Sequence, residues 1–352
     1  MYEIIFAGNN LNNKRQNINQ NNSIILIRVF AMVLILACHI VQEHSNEYIK
    51  MTAQFLNVGV SIFILISGYL YGTKKINENY VQWIIKRAKR ILIPLYIFMA
   101  YLLIIYLIKG INISIFNWIA YILNLQGFQI YIHGAEHLWY LTVIMICYTV
   151  TPILDRNKKK LNKKNIKILI PILIFIQVLT TYFINTQIGI YLIYILLYII
   201  SYIVGNSVNI SISNKKIFLA FGIGIISITI RLIGKFLLDD TRIYNVIIVG
   251  YTQAIIAFSI FYIFAYLGNK FKANSVIKYI DSISFEVYLV HYMYMVGPVR
   301  FMGLTNSFIL NTIITIIASV ITAILLKKIC KKFYFLMDGI KINKIMNKSS
   351  SL

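Results

Sequence analysis

The sequence predicts an all-α protein, a polytopic transmembrane helical bundle of about ten spans with both termini in the cytoplasm. Apolar residues and tyrosine make up 59% of the 352 residues. Charged residues make up only 13%, against about 25% in soluble domains. The apolar residues form separated runs, and most basic residues fall in alternate gaps between them. This composition excludes a soluble domain and a disordered chain, and three cysteines exclude a disulfide scaffold.

Each predicted span is a run of about 20 mostly apolar residues between charged or polar residues. The short turn Asn185 to Gln187 predicts a tight helical hairpin, because one helix over 168–208 is too long for a bilayer of about 30 Å. The membrane domain is 23–326, flanked by a polar amino-terminal tail (1–22) and a basic carboxy-terminal tail (327–352). The ten runs are 23–43, 54–72, 91–108, 137–154, 168–184, 188–208, 217–233, 244–267, 280–297 and 307–326.

The distribution of Lys and Arg predicts the orientation. Of the 34 basic residues, 27 fall on the side that holds both termini, and this side is expected to be cytoplasmic. Topology therefore explains the net charge of +23, and we expect membrane lipids and no nucleic acid as partners. Heavy use of Ile, Asn and Lys suggests a bacterial genome, so we expect a multi-pass protein of the bacterial plasma membrane. The opposite side holds Lys50, Lys109, Arg231, Lys235, Arg242 and Arg300.

Arg28 and His39 are ionisable residues inside the first predicted span, where such residues are costly and often functional. They are 11 residues apart, about three helical turns and roughly 16 Å, so they share a face. One interpretation is structural, with Arg28 extending to the inner interface and His39 hydrogen-bonded in the bundle. The other makes His39 a base that accepts a hydroxyl proton.

Arg87 and Arg90 belong to a basic cluster before the third span, and their spacing of three places them on one helix face. Together they could bind a phosphate through charge-assisted hydrogen bonds. A cytoplasmic basic cluster that only sets topology is the alternative.

Glu136 precedes His137 and Trp139 at the outer mouth of the fourth span, where it could assist a base or belong to an ordinary interfacial cluster. His291 and Glu286 lie five apart in the ninth span and do not share a face, so a structural role is favoured for His291. His44 and His133 fall in predicted outer loops, without an expected role. The cysteines have no metal-ligand spacing, and the sequence predicts no metal site.

Five motifs, in this order and spacing, resemble the acyltransferase-3 family of bacterial integral membrane O-acyltransferases. The resemblance covers nearly the whole membrane domain. The motifs are Arg28 with ten residues before His39, the SIFILISGYLYG stretch from Ser61 to Gly72, Arg87 and Arg90 before Pro94, the HLWYL stretch from His137 to Leu141, and the SFEVYLVH stretch from Ser284 to His291.

The resemblance implies an enzyme that moves an acyl group, expected to be acetyl, from cytoplasmic acyl-CoA to a hydroxyl of an extracytoplasmic or lipid-linked sugar. It implies that His39 is the catalytic base and that Arg28, Arg87 and Arg90 bind the cofactor. Glu136 is added as a catalytic candidate from its position. Direct transfer is expected, because Ser67 beside Gly68 is more typical of close helix packing than of a covalent relay.

Two other functions remain open. One is a transporter or exporter of polysaccharide or a small metabolite, in which the intramembrane Arg and His residues form a proton or substrate path. The other is an assembly scaffold, which the two costly intramembrane residues disfavour. For the enzyme, the loop 109–136 is the expected place for sugar stacking, on Trp118, Tyr121, Phe128 and Tyr131.

Overall fold

The structure, a computed structural model, describes residues 11–161, 163–207, 214–239 and 241–349, with side-chain environments for 22–161, 165–206, 215–239 and 241–337. The first ten residues of the predicted amino-terminal tail lie outside this part. The described residues form helices and contain no β-strand. The α-helices are α1 (Leu11–Gln42), α2 (Glu47–Leu56), α3 (Val58–Gly72), α4 (Tyr80–Ile108), α5 (Ile115–Ile122), α6 (Trp139–Arg156), α7 (Lys163–Leu179), α8 (Thr186–Ser207), α9 (Asn214–Leu238), α10 (Val249–Lys270), α11 (Ser275–Met295) and α12 (Phe308–Ser349).

The predicted helical membrane bundle is confirmed, and nine segments of the described chain are long and apolar enough to cross a membrane. The remaining predicted span, 280–297, corresponds to α11, which is not among these nine segments. α11 contains three charged residues, Lys278, Asp281 and Glu286, within its 21 residues. The segments are Asn22–Gln42, Glu47–Gly72, Tyr80–Ile108, Glu136–Arg156, Asn165–Ile184, Thr186–Asn206, Lys215–Leu238, Ile243–Lys270 and Phe308–Met337.

The chain divides into two compact units. Unit 1 contains Met1–Cys38, Thr52–Asn77 and Thr149–Ser282. Unit 2 contains His39–Met51, Glu78–Tyr148 and Ile283–Leu352.

Close packing of α3 against α8 organises unit 1. A Cβ atom at Gly68 would overlap the backbone oxygen of Tyr198, and one at Gly72 would overlap that of Tyr202. Only glycine therefore permits this approach of the two backbones, as is usual where membrane helices pack closely. The packing interpretation of Gly68 is confirmed.

The predicted helical hairpin between α7 and α8 is also confirmed. Asn185 interrupts the helix with an extended backbone (φ −160°, ψ 128°). Its side-chain oxygen accepts hydrogen bonds from the backbone N–H groups of Gln187 (2.8 Å) and Ile188 (3.1 Å). These bonds satisfy amides at the start of α8 that have no partner within the helix.

In unit 2, the loop after α4 folds around Tyr121 of α5. Tyr121 is completely buried, its hydroxyl donates to the backbone oxygen of Ala135 (3.0 Å), and the N–H of Ile132 donates to that hydroxyl (3.2 Å). Burial raises the pKa of Tyr121, so the hydroxyl remains a donor at neutral pH. This bridge closes the loop and holds the chain that leads to Glu136 and α6.

Candidate active site

Three histidines from distant parts of the sequence meet in unit 2. They are His39 near the end of α1, His137 in the short 3-10 turn before α6, and His291 in α11. The ring centroids are 4.7 Å apart for His137 and His291, 5.3 Å for His39 and His291, and 6.4 Å for His39 and His137. The ring of Tyr292 lies 4.9 Å from His39 and 5.0 Å from His137. We call these three histidines the histidine cluster.

Backbone contacts determine which ring nitrogens of the buried histidines carry hydrogen. Nε2 of His137 and Nδ1 of His291 both face the backbone oxygen of Tyr288, at 2.7 and 2.8 Å. Because a carbonyl oxygen only accepts, each of these nitrogens must donate. In neutral rings, the opposite nitrogens, Nδ1 of His137 and Nε2 of His291, therefore present lone pairs.

Those two lone pairs have no hydrogen-bond partner among the described side chains and backbone, although both atoms are buried. His137 is 5% exposed and His291 is completely buried. A buried acceptor without a donor is unfavourable. A substrate hydroxyl group or water could supply the missing donor.

His39 is the part-exposed member of the histidine cluster. Its Nδ1 contacts the side-chain oxygen of Gln42 at 3.0 Å, so Nδ1 donates and Nε2 keeps its lone pair. Two imidazolium rings about 5 Å apart would repel by about 3 kcal/mol at an effective dielectric constant of about 20. The cluster therefore favours no more than one added proton, and His39 is its accessible position for receiving it.

Arg28 pairs with an acidic residue within unit 1. Its Nη2 atom donates to Oδ2 of Asp281 at 2.6 Å. The Asp281 side chain is 1% exposed, whereas that of Arg28 is 29% exposed. The Arg28 guanidinium therefore neutralises a buried carboxylate, while part of the Arg28 side chain remains exposed.

Arg87 and Arg90 lie on α4, three residues apart as the sequence predicts. The Arg87 guanidinium lies 4.9 Å from the ring centroid of buried Trp83, in a cation–π contact. Arg90 is exposed. A stacked and an exposed guanidinium on one helix face form a basic surface suited to phosphate groups.

Comparison with known families matches residues 21–328 to the acyltransferase domain of the acyltransferase-3 family. This match covers most of the 352 residues and includes the whole predicted membrane domain, 23–326. The chain belongs to the acyltransferase-3 family. It is accordingly a multi-pass membrane O-acyltransferase. The curated proteins and the solved structures that were compared with it give no match.

The acyltransferase-3 motifs account for all three members of the histidine cluster, since His39, His137 and His291 each belong to one of them. The sequence singled out His39 alone and favoured a structural role for His291. The structure brings His291 against His39 and His137 instead of leaving it isolated. The catalytic role of His39 stays a prediction.

Glu136, the other catalytic candidate in this acyltransferase-3 chain, turns toward its own loop. Its carboxylate contacts Nδ1 of His133 at 3.1 Å and accepts a hydrogen bond from the N–H of Gly134 at 2.6 Å. These contacts shape the loop that carries His137. Its predicted catalytic role remains a prediction, as do the cofactor-binding roles of Arg28, Arg87 and Arg90.

The loop aromatics of the acyltransferase-3 chain separate into two kinds. Tyr121 is completely buried, so its predicted sugar stacking is wrong and its role is to hold the loop together. Phe128 and Tyr131 are 51% and 44% exposed, and Trp118 is part-exposed beside Tyr106. Among the four predicted stacking residues, Phe128 and Tyr131 are the most exposed.

Proposed function

We propose that this acyltransferase transfers an acetyl group from cytoplasmic acetyl-CoA to a hydroxyl of an extracytoplasmic or lipid-linked sugar, in the plasma membrane of a bacterium. His39 serves as the base. The observation that carries the proposal is the histidine cluster, in which one part-exposed imidazole adjoins two buried rings with unfilled acceptor atoms. A hydroxyl group is the kind of substrate that such a cluster can bind and deprotonate.

Direct transfer needs one base. Nε2 of His39 takes the proton from the sugar hydroxyl while the oxygen attacks the thioester carbonyl carbon. A C–O bond forms, the C–S bond breaks, and the CoA thiolate leaves. The proton on His39 then passes to the thiolate or to solvent, which restores the neutral ring and completes the balance. The contact with Gln42 holds Nδ1 and directs Nε2 away from Gln42.

The other two histidines position the acceptor in this proposal. Nδ1 of His137 and Nε2 of His291 can accept hydrogen bonds from a sugar hydroxyl or a bound water. They also discourage charge accumulation, because a proton on His39 raises the energy of a second one nearby. The histidine cluster therefore holds at most one added proton during turnover.

Arg87 and Arg90 bind the CoA phosphates in this proposal. Replacing both by alanine should raise the Kd for acetyl-CoA by about 10-fold or more for each arginine, because hydrogen bonds to charged groups contribute about 1.5–3 kcal/mol. The increase should shrink at high salt, which screens the phosphate attraction in the wild type. Equilibrium binding of radiolabelled acetyl-CoA to the purified protein measures this effect.

The matched control for that experiment is Lys86→Ala on the same helix, since Lys86 is exposed and pairs with Glu78. It should bind acetyl-CoA like the wild type. An unchanged Kd after loss of both arginines would exclude them from the donor site. An equal rise in the Lys86 variant would show a general effect of surface charge.

The exposed loop aromatics support acceptor binding. We expect Phe128→Ala combined with Tyr131→Ala to raise the acceptor KM several-fold and to leave acetyl-CoA affinity unchanged, because only sugar contacts are removed. Tyr48→Ala, at an 83% exposed tyrosine outside this loop, is the control. Equal losses of donor and acceptor affinity would contradict a role specific to the sugar.

The experiment that tests the function is label transfer in membranes. Membranes with the protein and membranes without it receive acetyl-CoA or succinyl-CoA labelled in the acyl group, and the cell-surface glycan fraction is counted. Protein-dependent label from acetyl-CoA supports the proposal, and label from succinyl-CoA alone corrects the donor. Sugar flux without acyl-CoA consumption would favour the transporter.

A further inference from the structure

Arg231 is a buried cation in unit 1, far along the sequence from every motif of the proposed reaction. The sequence counts it with the basic residues on the side opposite the termini, at the end of the predicted run 217–233. The structure places Arg231 inside the segment Lys215–Leu238, with 0% of the residue exposed. A guanidinium in such a position loses its hydration and needs compensation from its surroundings.

The surroundings of Arg231 provide polarity but no full negative charge. Its Nη2 atom donates to the side-chain oxygen of Asn57 at 3.3 Å, and its Cζ lies 5.7 Å from the ring centroid of Phe55. Tyr244 is a further hydrogen-bond partner of the guanidinium, and Tyr194 and Cys38 are its other polar neighbours. None of these groups is a carboxylate. Within the described chain, no carboxylate is in ion-pair distance of Arg231.

Two of the three guanidinium nitrogens are unsatisfied. Nε and Nη1 of Arg231 are buried and have no hydrogen-bond acceptor among the described residues. Buried arginine donors in folded proteins are normally hydrogen-bonded, because an unpaired charged donor in the interior costs free energy. Arg231 thus has both unfilled donors and an uncompensated charge.

A helix amino terminus adds positive potential at the same place. Asn57 is the turn residue that separates α2 from α3, and α3 then continues for 15 residues. The first amides of a helix carry partial positive charge and favour anions. The backbone oxygen of Asn57 accepts a hydrogen bond from Nε2 of Gln253 at 2.6 Å, and the Asn57 side chain does not cap α3. A broken membrane helix beside a buried arginine is a geometry suited to an anionic ligand.

We propose that unit 1 contains an anion-binding site formed by Arg231 and the α2–α3 break at Asn57. The ligand is a single carboxylate or phosphate group of a small molecule or lipid-linked compound. It reaches the guanidinium past Gln54, Phe55 and Asn57, which are part-exposed. The site does not depend on acyl transfer, and it is separate from the arginines assigned to CoA.

Thermal unfolding of the purified full-length protein tests this site. Sodium phosphate and sodium acetate are titrated at constant ionic strength against sodium chloride. Ligand binding to the folded state raises the midpoint, so we expect a saturable rise of about 3 °C or more with at least one anion. A rise with phosphate alone indicates a phosphate ligand, and a rise with acetate alone indicates a carboxylate.

Three variants make the test specific. Arg231→Met should abolish the anion-dependent rise, whereas Arg242→Met, at an exposed arginine outside the site, should retain it. Asn57→Asp places a carboxylate at the side-chain position that already contacts Arg231. It should raise the midpoint in chloride and remove the response to added anion.

Asn57→Asp keeps the proposal testable if Arg231→Met fails to fold. Absence of a saturable rise in the wild type would overturn the anion site. An anion response in Asn57→Asp equal to that of the wild type would also overturn it, because the built-in carboxylate should occupy the same donors.

Discussion

Replacing His39 by alanine is expected to lower the rate of acyl transfer by about 10²–10⁴-fold, the usual contribution of a positioned general base. His39 is the part-exposed member of the histidine cluster, and its Nε2 lone pair is left available by the contact of Nδ1 with Gln42. His137 and His291 are buried and cannot replace it without moving. Transfer of labelled acetyl to the glycan acceptor, at saturating donor, measures the loss.

The loss should be in kcat and not in donor binding. His39→Ala removes the base without touching the basic surface of α4, so the Kd for acetyl-CoA should stay within about twofold of the wild type. His44→Ala is the matched histidine control. His44 is close in sequence, but its ring contacts Phe308 and the backbone N–H of Asn46 instead of the cluster. Full activity in His39→Ala would refute the proposed mechanism.

The local sequence pattern was sufficient to predict the helices, because a long apolar run by itself indicates a segment that lies in lipid. The runs predicted the membrane bundle, and the turn at Asn185 was visible because an Asn-Thr-Gln sequence interrupts two apolar runs. α11 contains three charged residues, and one of them, Asp281, pairs with Arg28 of α1. The helical form of α11 was predictable from its sequence, but the partners of its charged residues were not, because they depend on tertiary contacts.

The histidine cluster was only partly predictable because its geometry joins residues about 100 or more positions apart. His39 could be found as an ionisable residue in an apolar run. The partnership with His137 and His291 depends on which helix faces meet, and the periodicity of one helix does not contain that information. His137 occurs in a recognisable motif at a span mouth, which was the available signal.

The pairing of Asp281 with Arg28 was missed, although the sequence contained a signal for it. An acidic residue inside a predicted span is costly, and that cost predicts a basic partner or a function. The sequence offered Arg28 as an intramembrane cation, so the pair could have been suggested from cost alone. Arg231 is harder, because its contact with Asn57, 174 positions away in the sequence, depends on which helices pack together.

The Arg28–Asp281 pair is expected to give the largest effect on stability, with an asymmetry between its partners. Arg28→Met removes the guanidinium that contacts the 1% exposed carboxylate of Asp281, and breaking a buried pair in this way costs about 3–5 kcal/mol. Asp281→Leu should cost less, because the Arg28 side chain is 29% exposed and can gain contact with water or headgroups. Titration of the purified protein with denaturing detergent in mixed micelles compares the variants.

The double variant Arg28→Met with Asp281→Leu separates structure from cofactor binding. Replacing both members of a buried pair by apolar residues is often neutral for stability, so the double variant should be more stable than Arg28→Met alone. If Arg28 also binds acyl-CoA, the restored protein should still have a raised Kd for acetyl-CoA. If its role is only to neutralise Asp281, affinity and transfer should both return with stability. A double variant no more stable than Arg28→Met would mean that the two side chains act independently, which a 2.6 Å contact between opposite charges argues against.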